Sequence, residues 1–106
     1  MQLPTIIFDE IDTGVSGKIA DQMGRMMSEI SNRIQVMAIT HLPQVAAKGN
    51  AHYKVYKFDD EQATHTSVRK LLPDERIDEI AVMLSGSIVD ETARAASISL
   101  LKQSVK

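Results

Sequence analysis

Hydrophobic positions in the first forty residues change period twice, which predicts a strand, a helix and a second strand. Pro4 cannot pair in a ladder, so the first strand is expected to begin near Thr5. Its apolar run, Ile6-Ile7-Phe8, is continuous rather than alternating. A continuous run is typical of a parallel strand that is covered on both faces.

An amphipathic helix is predicted from about Gly17 to Ser31, with Ser16 as its N-cap. Its apolar stripe consists of Ile19, Met23, Met26, Met27 and Ile30. The short apolar run Gln35–Ile39 then predicts a second strand. A strand, a helix and a strand in close succession form a βαβ unit with parallel strands, so both strands should end at the same edge of the sheet.

The remaining residues predict a short helix, a hairpin and two further helices. The short helix is expected over Leu42–Ala47, with Pro43 in its first turn, and the hairpin strands over His52–Phe58 and Thr64–Leu71. The third helix is expected from Pro73 to Ser85-Gly86, capped by Asp74. The last helix is expected to be capped by Asp90 and to end near Gln103. The polar turn Asp59–Gln62 joins the two hairpin strands. The predicted order is therefore β-α-β-α-β-β-α-α, a mixed α/β arrangement without an internal domain boundary.

Composition limits the classes of function. With 106 residues, 43% hydrophobic and 25% charged, the chain fits one small domain or a piece of a larger one. Its 14 acidic and 12 basic residues provide no basic field for nucleic acid, so any DNA contact is expected elsewhere. Cysteine is absent and no membrane-length apolar run occurs, which favours a cytoplasmic protein without disulfides or thiolate metal sites.

Candidate chemistry follows the two predicted parallel strands. Asp9 and Glu10 come directly after the first strand, and Thr40 and His41 come directly after the second. An apolar strand that ends in Asp-Glu is typical of the Walker B element of ATPases, in which the first acid helps to hold Mg²⁺ and the second orients the attacking water. A histidine at the same edge could contact a γ-phosphate. The same residues could also simply cap loops or pack.

Two longer stretches carry a resemblance to a known family. Phe8-Asp9-Glu10-Ile11-Asp12-Thr13-Gly14-Val15-Ser16-Gly17 and Ile39-Thr40-His41-Leu42-Pro43-Gln44-Val45-Ala46-Ala47 closely resemble the bacterial DNA repair ATPases of the SMC-like group, within the ABC-type ATPases. The similarity extends through the hairpin to Glu79–Gly86. It implies part of a P-loop NTPase (ABC-type head) sheet, with a βαβ unit, a β-hairpin and two C-terminal helices.

The resemblance implies separate roles for the site residues. Asp9 would coordinate Mg²⁺ through water, Glu10 would polarise the hydrolytic water, and His41 would sense the γ-phosphate. The D-loop, which lies between two heads, would comprise Asp12, Thr13, Gly14, Val15, Ser16 and Gly17. Thr40 and Gln44 would flank the switch histidine.

The resemblance also implies a function in a longer protein. That protein would bind and hydrolyse ATP with Mg²⁺ in DNA double-strand break repair and recombination, with a second head as its homodimeric partner. It would contact DNA through regions outside this chain, without a membrane, in the cytoplasm and associated with the nucleoid. A Gly-x-x-x-x-Gly-Lys-Ser/Thr loop and a signature motif do not occur in the 106 residues. Residues 1–106 are therefore expected to form a single partial domain, the C-terminal segment of a head cut just before its Walker B strand, and to be inactive in isolation.

Two alternatives remain open at this stage. Asp9-Glu10-Ile11-Asp12 also fits the Asp-Glu-x-Asp pattern of a helicase core, although Thr40-His41 stands where helicases usually have Ser-Ala-Thr. A non-enzymatic interaction module, with acids that merely cap loops, is the other.

Overall fold

A computed structural model describes residues 4–10, 14–86 and 89–103. Its elements are β1 (Thr5–Asp9), α1 (Gly17–Ile30), β2 (Gln35–Ile39), α2 (Pro43–Ala46), β3 (Tyr53–Asp59), β4 (Thr64–Lys70), α3 (Pro73–Ser85) and α4 (Glu91–Gln103). This order of strands and helices confirms the predicted layout.

Strands β1 and β2 are parallel, as the βαβ unit predicts, and they pair directly. Their register runs from Thr5 opposite Gln35 to Asp9 opposite Ile39. The Glu10 N–H donates to the Ile39 carbonyl at 2.8 Å, which extends the ladder by one residue. Both strands consequently end at the same edge.

The expectation that β1 is covered on both faces is wrong for this chain. Phe8 is half-buried against the helices, whereas Ile7 is 60% exposed. On β2, Met37 lies opposite Ile7, and both Met37 and Ile39, two residues further along the strand, are also exposed. Helices α1 and α2 cover one face of a two-stranded sheet, and no described element covers the other face.

The buried face of α1 differs from the predicted stripe. Ala20, Gly24 and Met27 are buried, whereas Ile19 and Met26 are 44% and 47% exposed. A Cβ on Gly24 would lie 3.1 Å from the Gln44 carbonyl oxygen, so α2 crosses α1 at a distance that excludes larger side chains there. Helix α1 therefore uses small residues at this crossing.

Helices α3 and α4 pack against each other around Ile80, Ala81 and Ser97. The Ser97 hydroxyl, which is fully buried, donates to the Ile77 carbonyl at 2.7 Å. Asp90 caps α4 as predicted, because its carboxylate accepts from the Ala93 N–H at 2.7 Å.

The predicted cap of α3 is wrong. The helix begins at Pro73, as predicted, but its N-cap is Leu72 rather than Asp74, and the carboxylate of Glu75 accepts from the Leu72 N–H at 3.0 Å. Asp74 lies within the first turn.

Strands β3 and β4 form the predicted antiparallel hairpin as a separate sheet. Ion pairs join it to α3, with Lys54 to Glu79 at 2.8 Å and Arg69 to Glu75 at 2.5 Å. In the turn, Asp60 accepts from two backbone N–H groups at 2.8 Å and pairs with a histidine of β4. These contacts lower the pKa of Asp60, chiefly through the two backbone hydrogen bonds.

Candidate functional site at the strand edge

The two acids lie at the point where β1 ends. Asp9 is the last residue of the strand, and both Asp9 and Glu10 are exposed. Glu10 has a φ of +50°, and it is the one non-glycine residue with a positive φ among the described residues. A left-handed conformation at a residue other than glycine is uncommon and costs free energy.

Thr40 and His41 lie at the same edge, directly after β2. The Thr40 hydroxyl accepts from the Leu42 N–H at 3.0 Å, which holds the turn that leads into α2. His41 is exposed between a half-buried Thr40 and a half-buried Leu42. Parallel pairing of β1 and β2 thus brings the predicted acids and the predicted histidine to one edge, open to solvent.

The described part of the predicted D-loop leads from this edge into α1. Gly14 has a φ of +79°, a conformation that suits glycine. Val15 packs on the core formed by α1 and α2, and the Ser16 hydroxyl accepts from the Ile19 N–H at 3.3 Å, as its predicted capping role requires. Asp12 and Thr13 lie outside the described residues.

Gln44 lies against the start of α1. Its side-chain nitrogen would be 3.3 Å from a Cβ placed on Gly17. The last residue of the predicted D-loop and a predicted neighbour of the switch histidine are therefore adjacent in space, although they are far apart in sequence.

An ion pair that no local sequence pattern indicates holds the same two helices together. Lys48, whose side chain is only 8% exposed, lies 3.1 Å from the carboxylate of Asp21, which also pairs with Arg25 at 3.0 Å. The hydrogen bond from Lys48 is the main cause of the lowered pKa of Asp21. The sequence alone indicates only the pair of Asp21 with Arg25, which are four residues apart on α1.

The donor set suits a water-mediated Mg²⁺ contact. Magnesium is commonly bound through one or two carboxylates together with substrate phosphates and water, and Asp9 offers an exposed carboxylate for this purpose. Across residues 4–10, 14–86 and 89–103, no three His, Asp or Glu side chains converge to form a metal site by themselves.

The arrangement defines a class of ATPase fold. The chain superposes with a TM-score of 0.55 on a solved chain described as "Structural biochemistry of ATP-driven dimerization and DNA stimulated activation of SMC ATPases". The match covers 68% of this chain and 42% of that chain at 18% sequence identity. The chain therefore has the α/β fold of part of an SMC-type, P-loop NTPase-like head, as its motifs imply.

Sequence comparison identifies the relatives more closely. The chain is 44% identical over 101 residues to the DNA repair protein RecN of Xylella fastidiosa (strain 9a5c) and 41% identical over 99 residues to RecN of Haemophilus influenzae. It is 42% identical over 100 residues to RecN of Streptomyces coelicolor. These matches cover 93 to 95% of the chain and confirm the resemblance to bacterial SMC-like repair proteins.

The chain spans 18% of the length of these three relatives. No protein-family model matches the sequence. Within the described residues, no helix is both long and apolar enough to cross a membrane.

Proposed function

We propose that this chain supplies the C-terminal part of an SMC-like ATPase head in a RecN-type protein, which binds and hydrolyses ATP in DNA double-strand break repair and recombination. One observation carries the proposal: Asp9 and Glu10 lie at the same edge of a directly paired parallel sheet as Thr40 and His41. Identity of 41 to 44% to RecN proteins supports this over the helicase and interaction-module alternatives.

Each residue at the edge has a role in hydrolysis. The carboxylate of Glu10 accepts a hydrogen bond from the attacking water and orients it. The water oxygen bonds to the γ-phosphorus as the bond to the β-phosphate oxygen breaks, and the water proton leaves toward the carboxylate. His41 donates a hydrogen bond to a γ-phosphate oxygen. Asp9 would hold Mg²⁺ through water, and the ion would supply positive charge that neutralises the phosphates.

The partners follow from the same assignment. The segment from Asp12 to Gly17 is proposed as the D-loop that contacts a second head, and the exposed, left-handed Gly14 supports a turn presented at the surface. DNA would be bound by other parts of the protein, because this chain carries a net charge of −2. The proposed location is the cytoplasm, in association with the nucleoid.

The experiment that tests the proposal is Glu10→Gln in the longer protein that contains this chain. The amide keeps the shape of the side chain but cannot accept the water proton. We expect ATP binding to persist and steady-state turnover to fall about a hundredfold or more, the usual contribution of a positioned base. Nucleotide should remain trapped in a dimer of heads, which size-exclusion chromatography with radiolabelled ATP would detect.

Glu61→Gln is the matched control, because Glu61 is an exposed acid in the hairpin turn, away from the strand edge. It should leave turnover unchanged. Wild-type turnover by Glu10→Gln would refute the role of Glu10 in orienting the water.

A further inference from the structure

A second candidate site lies away from the strand edge that carries the acids. An open cavity of about 900 Å³ lies between the end of α1, the loop after α2, the base of the hairpin and the start of α3. Its basic lining residues are Lys48, His52, Lys70 and Arg76, and the described residues that line it include no Asp or Glu. Ser31 and Asn32 at the end of α1 add neutral polar groups. The cavity therefore concentrates positive charge without a carboxylate in its lining.

Arg76 is only partly satisfied there. Its Nη2 donates to the carbonyl oxygens of Ala46 at 3.0 Å and Gly49 at 2.6 Å, which ties α3 to the end of α2. Its Nε is buried and has no hydrogen-bond partner among the described residues. Burial lowers the pKa of the guanidinium, because the charged form loses solvation. No carboxylate of the described residues pairs with it.

His52, which directly precedes β3, also has a buried polar atom without a hydrogen-bond partner among the described residues. Its Nδ1 is buried and has no hydrogen-bond partner among residues 4–10, 14–86 and 89–103. The acid whose charge acts on His52, Glu79, is already engaged by Lys54 at 2.8 Å, and Lys48 in the same lining is already paired with Asp21 at 3.1 Å. A buried ring nitrogen without a partner lacks the hydrogen bond that water would give it in the unfolded chain.

We propose that this cavity binds a phosphate group through the ammonium of Lys70, the guanidinium of Arg76 and the ring of His52, whose side chains line it. Lys70 has no ion-pair partner in the described part of the chain, and all three residues line the same cavity. The donors come from three elements, the start of β3, the end of β4 and the first turns of α3. Donors that surround a ligand from several directions suit a tetrahedral oxyanion. This site is independent of the proposed ATPase function, because it shares no residue with the strand edge.

Nuclear magnetic resonance of the 106-residue chain with inorganic phosphate tests the site. At constant ionic strength maintained with chloride, we expect saturable shifts of the Arg76 Nε–H and His52 ring signals. Lys70→Ala should weaken phosphate binding about tenfold, the effect of one charge-assisted hydrogen bond. Lys57→Ala is the matched control, because Lys57 is an exposed hairpin lysine outside the cavity lining and its loss changes the net charge equally. It should leave the affinity unchanged.

A short single-stranded DNA oligonucleotide identifies the source of the phosphate group. Shifts at the same two side chains that inorganic phosphate competes away would assign the site to a nucleic-acid phosphate, whereas shifts with inorganic phosphate alone would assign it to a small anion. The proposal is overturned if neither ligand produces saturable shifts at Arg76 and His52. Equal weakening by the two lysine variants would also overturn it, since only general electrostatics would then remain.

Discussion

Replacing Gly24 by alanine should destabilise the protein, although alanine is the better helix former. Gly24 is a buried residue in the middle of α1, where α2 crosses it. An added Cβ would lie 2.9 Å from Lys48 Cγ, 3.1 Å from the Gln44 carbonyl oxygen and 3.4 Å from Val45 Cα. Two of these three atoms belong to the backbone of the α2 segment and cannot turn aside as a side chain can. The methyl group therefore separates the two helices.

The magnitude follows from two opposing effects. Alanine in place of glycine inside a helix stabilises by about 0.8–1 kcal/mol. Forcing an extra carbon into a close contact costs about 1–3 kcal/mol, and the displaced Lys48 side chain also weakens its pair with Asp21. The expected net loss is about 1 kcal/mol, which lowers the midpoint of thermal unfolding by about 4–8 °C in a domain of this size.

Urea unfolding followed by circular dichroism measures this loss. Gly17→Ala is the matched control, because its Cβ would meet only the flexible amide nitrogen of Gln44, at 3.3 Å. That variant should be as stable as the wild type or slightly more stable. A Gly24→Ala protein at least as stable as the wild type would show that α2 can move away freely, and the account of this helix crossing would then be wrong.

Two further predictions concern nucleotide and pH. Titration of the isolated chain with Mg-ATP by calorimetry should show no tight binding, because a Gly-x-x-x-x-Gly-Lys-Ser/Thr loop does not occur in its sequence, and micromolar affinity would contradict this. The pKa of His52 is lowered from 6.5, mainly by burial and further by Arg76 and Lys54, against an opposing effect of Glu79. Between the folded pKa of His52 and about pH 6.5, the unfolded chain therefore binds more protons than the folded chain. The free energy of unfolding should fall as the pH drops through this interval. Urea unfolding at several pH values should show a flatter pH dependence for His52→Gln than for the wild type. An unchanged pH slope in the variant would exclude His52 as the source.

The sequence predicted those features that depend on neighbouring residues. The apolar runs of β1 and β2, the helical period between them and the caps at Ser16 and Asp90 all act within a few residues, so local pattern indicates them correctly. The sequence also predicted that Asp9 and His41 lie at one edge of the sheet, because a short helical crossover makes β1 and β2 parallel. What the pattern could not provide is the left-handed conformation of Glu10, since a glutamate gives no signal for a positive φ.

The errors arose where distant contacts decide the outcome. Hydrophobicity favoured Ile19 and Met26 for the buried face of α1, but the close crossing of α2 selects Ala20 and Gly24 instead. Asp74 and Glu75 are both plausible near the start of α3, and the carboxylate that reaches back to Leu72 is that of Glu75. Arg69 on the hairpin also pairs with Glu75, a contact between elements that no pattern within α3 could reveal.

The crossing of α1 and α2 also has a consequence for the strand edge. Helix α1 begins at the end of the proposed D-loop, and α2 begins two residues after His41. Because a Cβ at Gly17 would meet Gln44 and a Cβ at Gly24 would meet the backbone of α2, the two helices are packed closely, and a shift of one should displace the other. The ion pair of Lys48 with Asp21 also joins the loop after α2 to α1. The segment proposed to face a second head and the segment that carries the proposed phosphate sensor are thus attached to one packed unit, so a movement imposed on one should reach the other through side-chain packing, without passing through β1 or β2.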